Sequence, residues 1–325
     1  MAGKLRGWQF TKTHEPLEFV EKDLPELEDG YVRIKVKTAG LCSSDVGALH
    51  DPTWMNMITP PVNLGHEIAG EIVEFSGHVE GWNIGDRVAV YPMPHDGKYG
   101  PGYGRDGGYG NYTSAHYTHL VAVPDNVEDA QAAASTDAGM TSYHAVVGRG
   151  EVKEGTKVGI IGLGGLGTVG MDVAVSKGAE VYVATRKEAA QQKAKDHGAH
   201  KVAANITDFK DDELDVIIDF AGAGITTKEA LETVKPGGKV VLVGMHNLEF
   251  PINATDMILR EVSLLGSVGG SQDDIAAVLD LMSKGILTIG TELIPMSEVA
   301  NGLKRLEDGE ADDRLVMYTT DEDFE

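Results

Sequence analysis

One stretch of the chain restricts its fold more than any other. Lys157-Val158-Gly159-Ile160-Ile161 has the pattern of an apolar strand, and Gly162-Leu163-Gly164-Gly165-Leu166-Gly167 follows as a glycine turn. A helix pattern then runs to about Lys177, and Val181-Tyr182-Val183-Ala184 reads as a second strand. Strand, turn, helix and strand within about 30 residues make a βαβ unit, whose two strands lie parallel in one sheet. Backbone without side chains can approach a pyrophosphate, and the helix start supplies unpaired N–H groups and the positive end of its dipole. Gly162, Leu163, Gly164, Gly165, Leu166 and Gly167 therefore read as a dinucleotide site. The competing reading is a glycine turn needed only for tight helix packing.

The same alternation extends from about Thr136 onward, with further strands at Val216–Phe220, Lys239–Val243 and Val262–Leu265. Ser271-Gln272-Asp273-Asp274 resembles a capping box opening a helix that ends at Gly285, and Arg314–Tyr318 closes the chain as a strand. Before Thr136 the texture differs. Short β-patterned runs, such as Tyr31–Val36 and Asp86–Tyr91, are separated by Gly and Pro turn signals, which predicts a twisted, mostly antiparallel β domain. Pro92–Asn111, rich in Gly and Tyr, reads as an ordered but irregular loop. The fold class is α/β, with a doubly wound parallel-sheet domain over 139–268 and a β-rich domain over 1–138 and 269–325.

Composition narrows the function. The 325 residues, 42% of them hydrophobic, suffice for about two domains with their own cores. A net charge of −23, from 28 Lys+Arg against 51 Asp+Glu, argues against nucleic-acid or anionic-membrane partners, which need a basic footprint. The charge reads as a solubility feature; the alternative, a halophilic source, is opposed by the lysines the chain retains. The single cysteine, Cys42, permits no internal disulfide, and the N-terminal Met1–Gly7 segment lacks the apolar run of a secretory signal. The apolar run Val158–Met171 stops at Asp172, short of the ~20 residues that span a bilayer. A cytoplasmic setting is expected.

The second strand of the glycine unit ends at Thr185-Arg186-Lys187. An NAD-specific site places an acid here for the ribose 2′-hydroxyl. A hydroxyl followed by two cations suits a 2′-phosphate instead, so NADP(H) is favoured over NAD(H). The alternative is a solvated pair of charges at a helix start.

Four motifs lie in order along the chain: Gly40-Leu41-Cys42-Ser43-Ser44-Asp45; Gly65-His66-Glu67-Ile68-Ala69-Gly70 with Gly85-Asp86-Arg87-Val88; Thr136–Tyr143; and the glycine turn. Together they resemble the medium-chain zinc alcohol dehydrogenases over nearly the whole chain, with the NADP-using, cinnamyl-alcohol-dehydrogenase-like branch most similar. The resemblance implies a GroES-like catalytic domain beside a Rossmann domain, with the site in the cleft they form. It implies one catalytic zinc held by Cys42, His66 and Asp137, where Asp137 stands in the place of the usual cysteine. A mixed S, N, O set is acceptable to Zn²⁺ and leaves a fourth position open. Taken singly, Cys42 reads as a small buried hydrophobe, His66 as a turn cap and Asp137 as an N-cap.

The resemblance also assigns Ser44 as proton acceptor, Glu67 as a neighbour of the metal and Asp45 as the group orienting His66. Thr141 would face the nicotinamide, with the backbone of Val243-Gly244-Met245 and Ser267-Val268-Gly269 around its carboxamide. Arg314 would reach the cofactor phosphates. Trp54, Tyr91 and His116 are weaker pocket candidates, read first as packing and surface residues. Hydride would pass between the carbinol carbon of a small alcohol and the nicotinamide, or back to an aldehyde or ketone. A homodimer or homotetramer is implied, with Val262–Leu265 as a dimer edge.

Two departures stand out. The family's structural-zinc lobe carries four cysteines, and 92–111 has none, so no structural zinc is expected. The family's relay histidine falls at Gly47, leaving Ser44, the ribose, water or His50 to carry the proton out. A zinc-free quinone or enone reductase on the same fold is the main alternative; a non-catalytic NADPH sensor is a remoter one.

Overall fold

The computed structural model describes residues 3–325, so Met1 and Ala2 of the N-terminal segment lie outside it. The chain divides into two compact units. One runs to Asp137 and resumes over Ile275–Glu325; the other is Ala138–Asp274. Sequence places the second break at 268/269, six residues earlier. Residues 269–274 join the second unit because Asp274 Oδ2 accepts from Ser271 and lies 3.1 Å from His144 Nδ1. Ser271 also opens the helix Gln272–Ser283, and Gly285 beyond it takes φ +67°.

The second unit is built on six parallel strands in the order Lys201–Ala203, Glu180–Ala184, Lys157–Ile161, Val216–Asp219, Lys239–Leu242, Ser263–Gly266. Strand order reverses beside Lys157–Ile161, so the crevice at the carboxyl ends of the strands opens there. Val158, Ile160, Val181, Val183, Ile217 and Val240 are all buried, as a sheet covered on both faces requires. Each such side chain contributes roughly 2 kcal/mol through burial.

In the first unit, seven strands form a largely antiparallel sheet ordered Thr291–Pro295, Arg314–Tyr318, Tyr31–Gly40, Glu67–Phe75, Arg87–Val90, Leu120–Ala122, with Tyr112–His116 paired to Tyr31–Gly40. The strands at Tyr31–Gly40, Glu67–Phe75 and Arg314–Tyr318 carry the residues that matter chemically at or just beyond their ends. The short helix Asp129–Ala134 buries four alanines, and their small size lets it sit close to the sheet. Thr38 Oγ1 donates to the Asp129 carbonyl at 2.7 Å and Arg87 Nη2 lies 2.6 Å from the Asp129 carboxylate. Among the described residues, no helix is long and apolar enough to cross a membrane.

Candidate metal centre and cofactor turn

Three separate pieces of the first unit converge. Cys42 is the N-cap of the helix Ser43–His50, whose third residue, Asp45, returns its carboxylate to the Cys42 N–H at 3.2 Å. His66 precedes the strand that begins at Glu67, and Asp137 lies on the π-helical turn Ser135–Gly139. Such turns widen a helix locally and recur at functional sites. The Cys42 Sγ, His66 nitrogen, Asp137 oxygen and a Glu67 oxygen all fall within 4.8 Å of one another. Cys42 Sγ is 3.4 Å and His66 Nε2 3.6 Å from Asp137 Oδ2.

The surroundings complete this arrangement. Asp45 is 1% exposed, and its Oδ1 stands 3.5 Å from His66 Nδ1. Neither atom has a hydrogen-bond partner, although both are buried. A small inward rotation of the imidazole onto a cation by Nε2 would let Nδ1–H meet that carboxylate, the usual outer support for a metal-bound histidine. Tyr109 Oη donates to Asp45 Oδ2 at 2.6 Å, holding it from the other side. Burial opposes a charged His66, yet Tyr103, Asp45 and Asp137 hold its pKa well above the ordinary value. The S, N, O donor set, its spacing and the orphaned Nδ1 therefore fit a divalent cation, and zinc in particular.

Glu67 is fully buried and paired by both carboxylate oxygens with the Arg314 Nε and Nη2, at 3.0 Å for Nε. Burial pushes the Glu67 carboxyl up, Arg314 pulls it down and Asp137 adds to the rise. Arg314 Nη2 also lies 3.3 Å from Asp137 Oδ2. Arg314 is 8% exposed and its guanidinium is held by two carboxylates of the first unit, so it positions the ligand cluster.

Ser44, half-buried on the Ser43–His50 helix, has Tyr103 Oη at 3.4 Å from its Oγ. Tyr103 stacks on the His66 ring, centroids 5.2 Å apart and planes 29° apart. Neither Tyr103 nor Tyr109 emerges from sequence reasoning; the Gly/Tyr richness of 92–111 was their only signal. His50 is exposed and pairs with Glu307 at 3.1 Å, and Trp54 covers Gly47. His116 stacks on His95 with centroids 3.9 Å apart, and Tyr91 meets the edge of His119, so both are packing residues.

In the second unit three glycines of the turn differ in why they are glycine. Gly162 adopts φ +83°, and a Cβ at Gly167 would stand 1.8 Å from the Gly162 carbonyl oxygen. A Cβ at Gly164, the N-cap of the helix Gly165–Ser176, would meet nothing within 4 Å. The fold does not need glycine there. An approaching pyrophosphate does, which is the fit expected of a dinucleotide cradle. Ser142, beside the buried Thr141, donates to the Leu166 carbonyl at 2.8 Å, fixing Thr141 relative to the turn. Val243 and Gly244 both donate to the Asp219 carbonyl, and Ser267 donates to that of Leu242. Val243–Met245, Ser267–Gly269, Leu163–Leu166 and Thr185–Lys187 thus all follow the carboxyl ends of strands in one sheet. Met245 and Val268 are apolar yet 63% and 78% exposed. Arg186 and Lys187 are exposed, and neither is paired with a carboxylate among the described residues.

Comparison with known proteins agrees with this architecture. Residues 28–125 match the family model described as an alcohol dehydrogenase GroES-like domain, and residues 165–284 match that of a zinc-binding dehydrogenase. The chain is 31% identical to an alcohol dehydrogenase of Geobacillus stearothermophilus, over 93% of this chain and 95% of that one. It is 28% identical to NADP-dependent alcohol dehydrogenase 6 of Saccharomyces cerevisiae, over 96% and 92%. Among solved structures, acetophenone reductase from Geotrichum candidum in complex with NAD superposes with a TM-score of 0.89 at 30% identity, covering 98% of both chains. A GroES-like β domain, a Rossmann domain and a buried thiol, imidazole and carboxylate cluster define a dehydrogenase of the zinc type. The chain belongs to the medium-chain zinc-type alcohol dehydrogenase family, and its activity is that of an alcohol dehydrogenase.

Proposed function

We propose that this protein is a zinc-dependent, NADP(H)-using dehydrogenase that interconverts small primary or secondary alcohols with aldehydes or ketones. The observation that carries the zinc assignment is the meeting of Cys42, His66 and Asp137 donor atoms from stretches up to 95 residues apart. A divalent cation there would supply Lewis acidity toward an alcohol or carbonyl oxygen, and a nicotinamide would supply hydride transfer. The chain's own residues do the rest. Ser44 takes the hydroxyl proton in oxidation and returns it in reduction. Asp45 fixes the His66 ring, while Glu67 and Arg314 hold Asp137 and balance the buried charge. Thr141 would face a bound nicotinamide, and Arg186 and Lys187 would take a 2′-phosphate. The absence of an acid after the second strand supports NADP(H).

The test is removal and return of the metal. Purified protein stripped with a strong chelator is expected to lose alcohol oxidation and recover it with one equivalent of zinc, with NADP⁺ preferred to NAD⁺. Undiminished reduction of enones by metal-free protein would instead support the zinc-free reductase reading. A second copy of the chain is the proposed partner, docking on the unpaired edge strand Ser263–Gly266 with the exposed Ile258 and Leu259. A lone thiol serving as a ligand suits the reducing cytoplasm, which we propose as its location. The net charge of −23 makes nucleic-acid and membrane partners unfavourable.

A further inference from the structure

The family's usual proton exit is closed in this chain. A Cβ built on Gly47 would stand 2.7 Å from Trp54 Nε1 and 3.0 Å from Cε2, so no side chain fits at position 47 unless the indole moves. His50, one turn further along the helix, is 54% exposed and bound to Glu307. Ser44 has a different neighbour: the Tyr103 hydroxyl, at 3.4 Å. That separation is long for an O–H···O bond, but such contacts tighten when substrate orders the serine. Tyr103 is held for the purpose. Its ring stacks on His66, its N–H donates to Gly100 and its carbonyl accepts from Thr59 at 2.8 Å. Tyr103 as a residue is half-buried.

We propose that Tyr103 is the second carrier of a two-hydroxyl proton path, Ser44 then Tyr103, that replaces the exit barred at Gly47. The inference rests on the dehydrogenase reading above. In oxidation the substrate O–H bond breaks as Ser44 Oγ gains that proton. The serine's own proton passes to Tyr103 Oη, and the tyrosine's proton passes to water. Each hydroxyl accepts one proton and gives one, so neither has to ionise. The electron pair left on the substrate oxygen becomes the carbonyl π bond as hydride leaves for the oxidised nicotinamide. One proton in total reaches solvent. Tyr103 acts through Ser44, so it is a positioning and relay residue.

The zinc-loaded enzyme, Tyr103→Phe and Ser44→Ala are mixed with NADP⁺ and a fluorinated alcohol too electron-poor to release hydride. Proton release is followed by a pH indicator, which reads the path without turnover. In Tyr103→Phe the release is expected to slow at least about tenfold, the low end of what a positioned proton carrier contributes. Zinc content and coenzyme affinity stay unchanged, the pH profile of ordinary alcohol oxidation moves to higher pH, and small imidazole buffers restore much of the rate. Release at the wild-type rate in Tyr103→Phe, with Ser44→Ala slow, overturns the relay and leaves the dehydrogenase reading standing. Slowing accompanied by zinc loss, and not rescued by buffer, also overturns it, because that marks a packing role on His66. Wild-type enzyme that releases no proton and oxidises no alcohol removes both.

Discussion

At the scale of single residues, Arg314 decides more than its sequence context suggests. It lies buried against Glu67 and Asp137. Arg314→Met would strand two carboxylates in low dielectric, which costs about 3–5 kcal/mol when one partner of a buried pair is removed. Urea unfolding should show that loss, and Glu67→Gln added to it should recover a large part; additive losses would mean the pair is not coupled. That Cys42 and His66 belong to one side-chain cluster with Asp137 was legible because each sits in a short motif whose neighbours are local in sequence. What Arg314 touches was not legible, since its partners are 177 and 247 residues away and no local pattern encodes that pairing. Tyr103 and Tyr109 were hidden for the same reason. Their roles come from an irregular loop folded back by hydrogen bonds such as Gly108 N–H to Gly65 and Tyr109 N–H to Leu64, which leave no periodicity to read.

Among the elements, the glycine turn separates fold from function at neighbouring positions. Gly164→Ala meets no protein atom, so thermal stability should barely change while coenzyme affinity drops. Gly167→Ala forces a methyl group against the Gly162 carbonyl and should lower stability as well. Calorimetric melting and coenzyme titration of both variants check this, and equal affinity in Gly164→Ala would count against a pyrophosphate at that spot. The loop and strand end around His95, His116 and His119 carry a pH signature. Burial, then His95 and His116, lowers His119 to about 4. An unfolded histidine titrates near 6.5, so between pH 6.5 and 4 the unfolded chain binds the extra proton and stability falls as pH falls; above that window nothing changes. The full shift corresponds to roughly 3 kcal/mol, and His119's partial exposure reduces this to about 1–2 kcal/mol. His119→Gln should flatten that limb of the stability curve, measured by urea titration at pH 7 and 4.5. The βαβ texture and most strand positions were legible because strand and helix periods differ. The seven-stranded sheet was less so, since its pairings, such as Arg314–Tyr318 beside Tyr31–Gly40, join remote segments.

For the molecule as a whole, the edge strand Ser263–Gly266 and the exposed Ile258 and Leu259 predict self-association. Leu259→Glu should shift light-scattering mass toward the monomer, and an unchanged mass would reject that face. The central claim, however, is that a thiolate, an imidazole and a carboxylate grip one divalent ion. Its most direct measurement is the electronic spectrum of the protein loaded with Co²⁺ in place of zinc, compared with Cys42→Ser. The account predicts intense visible bands of a four-coordinate ion together with a near-ultraviolet thiolate-to-cobalt band that the variant lacks. Weak bands of an all-oxygen six-coordinate ion, the same in both proteins, would contradict it.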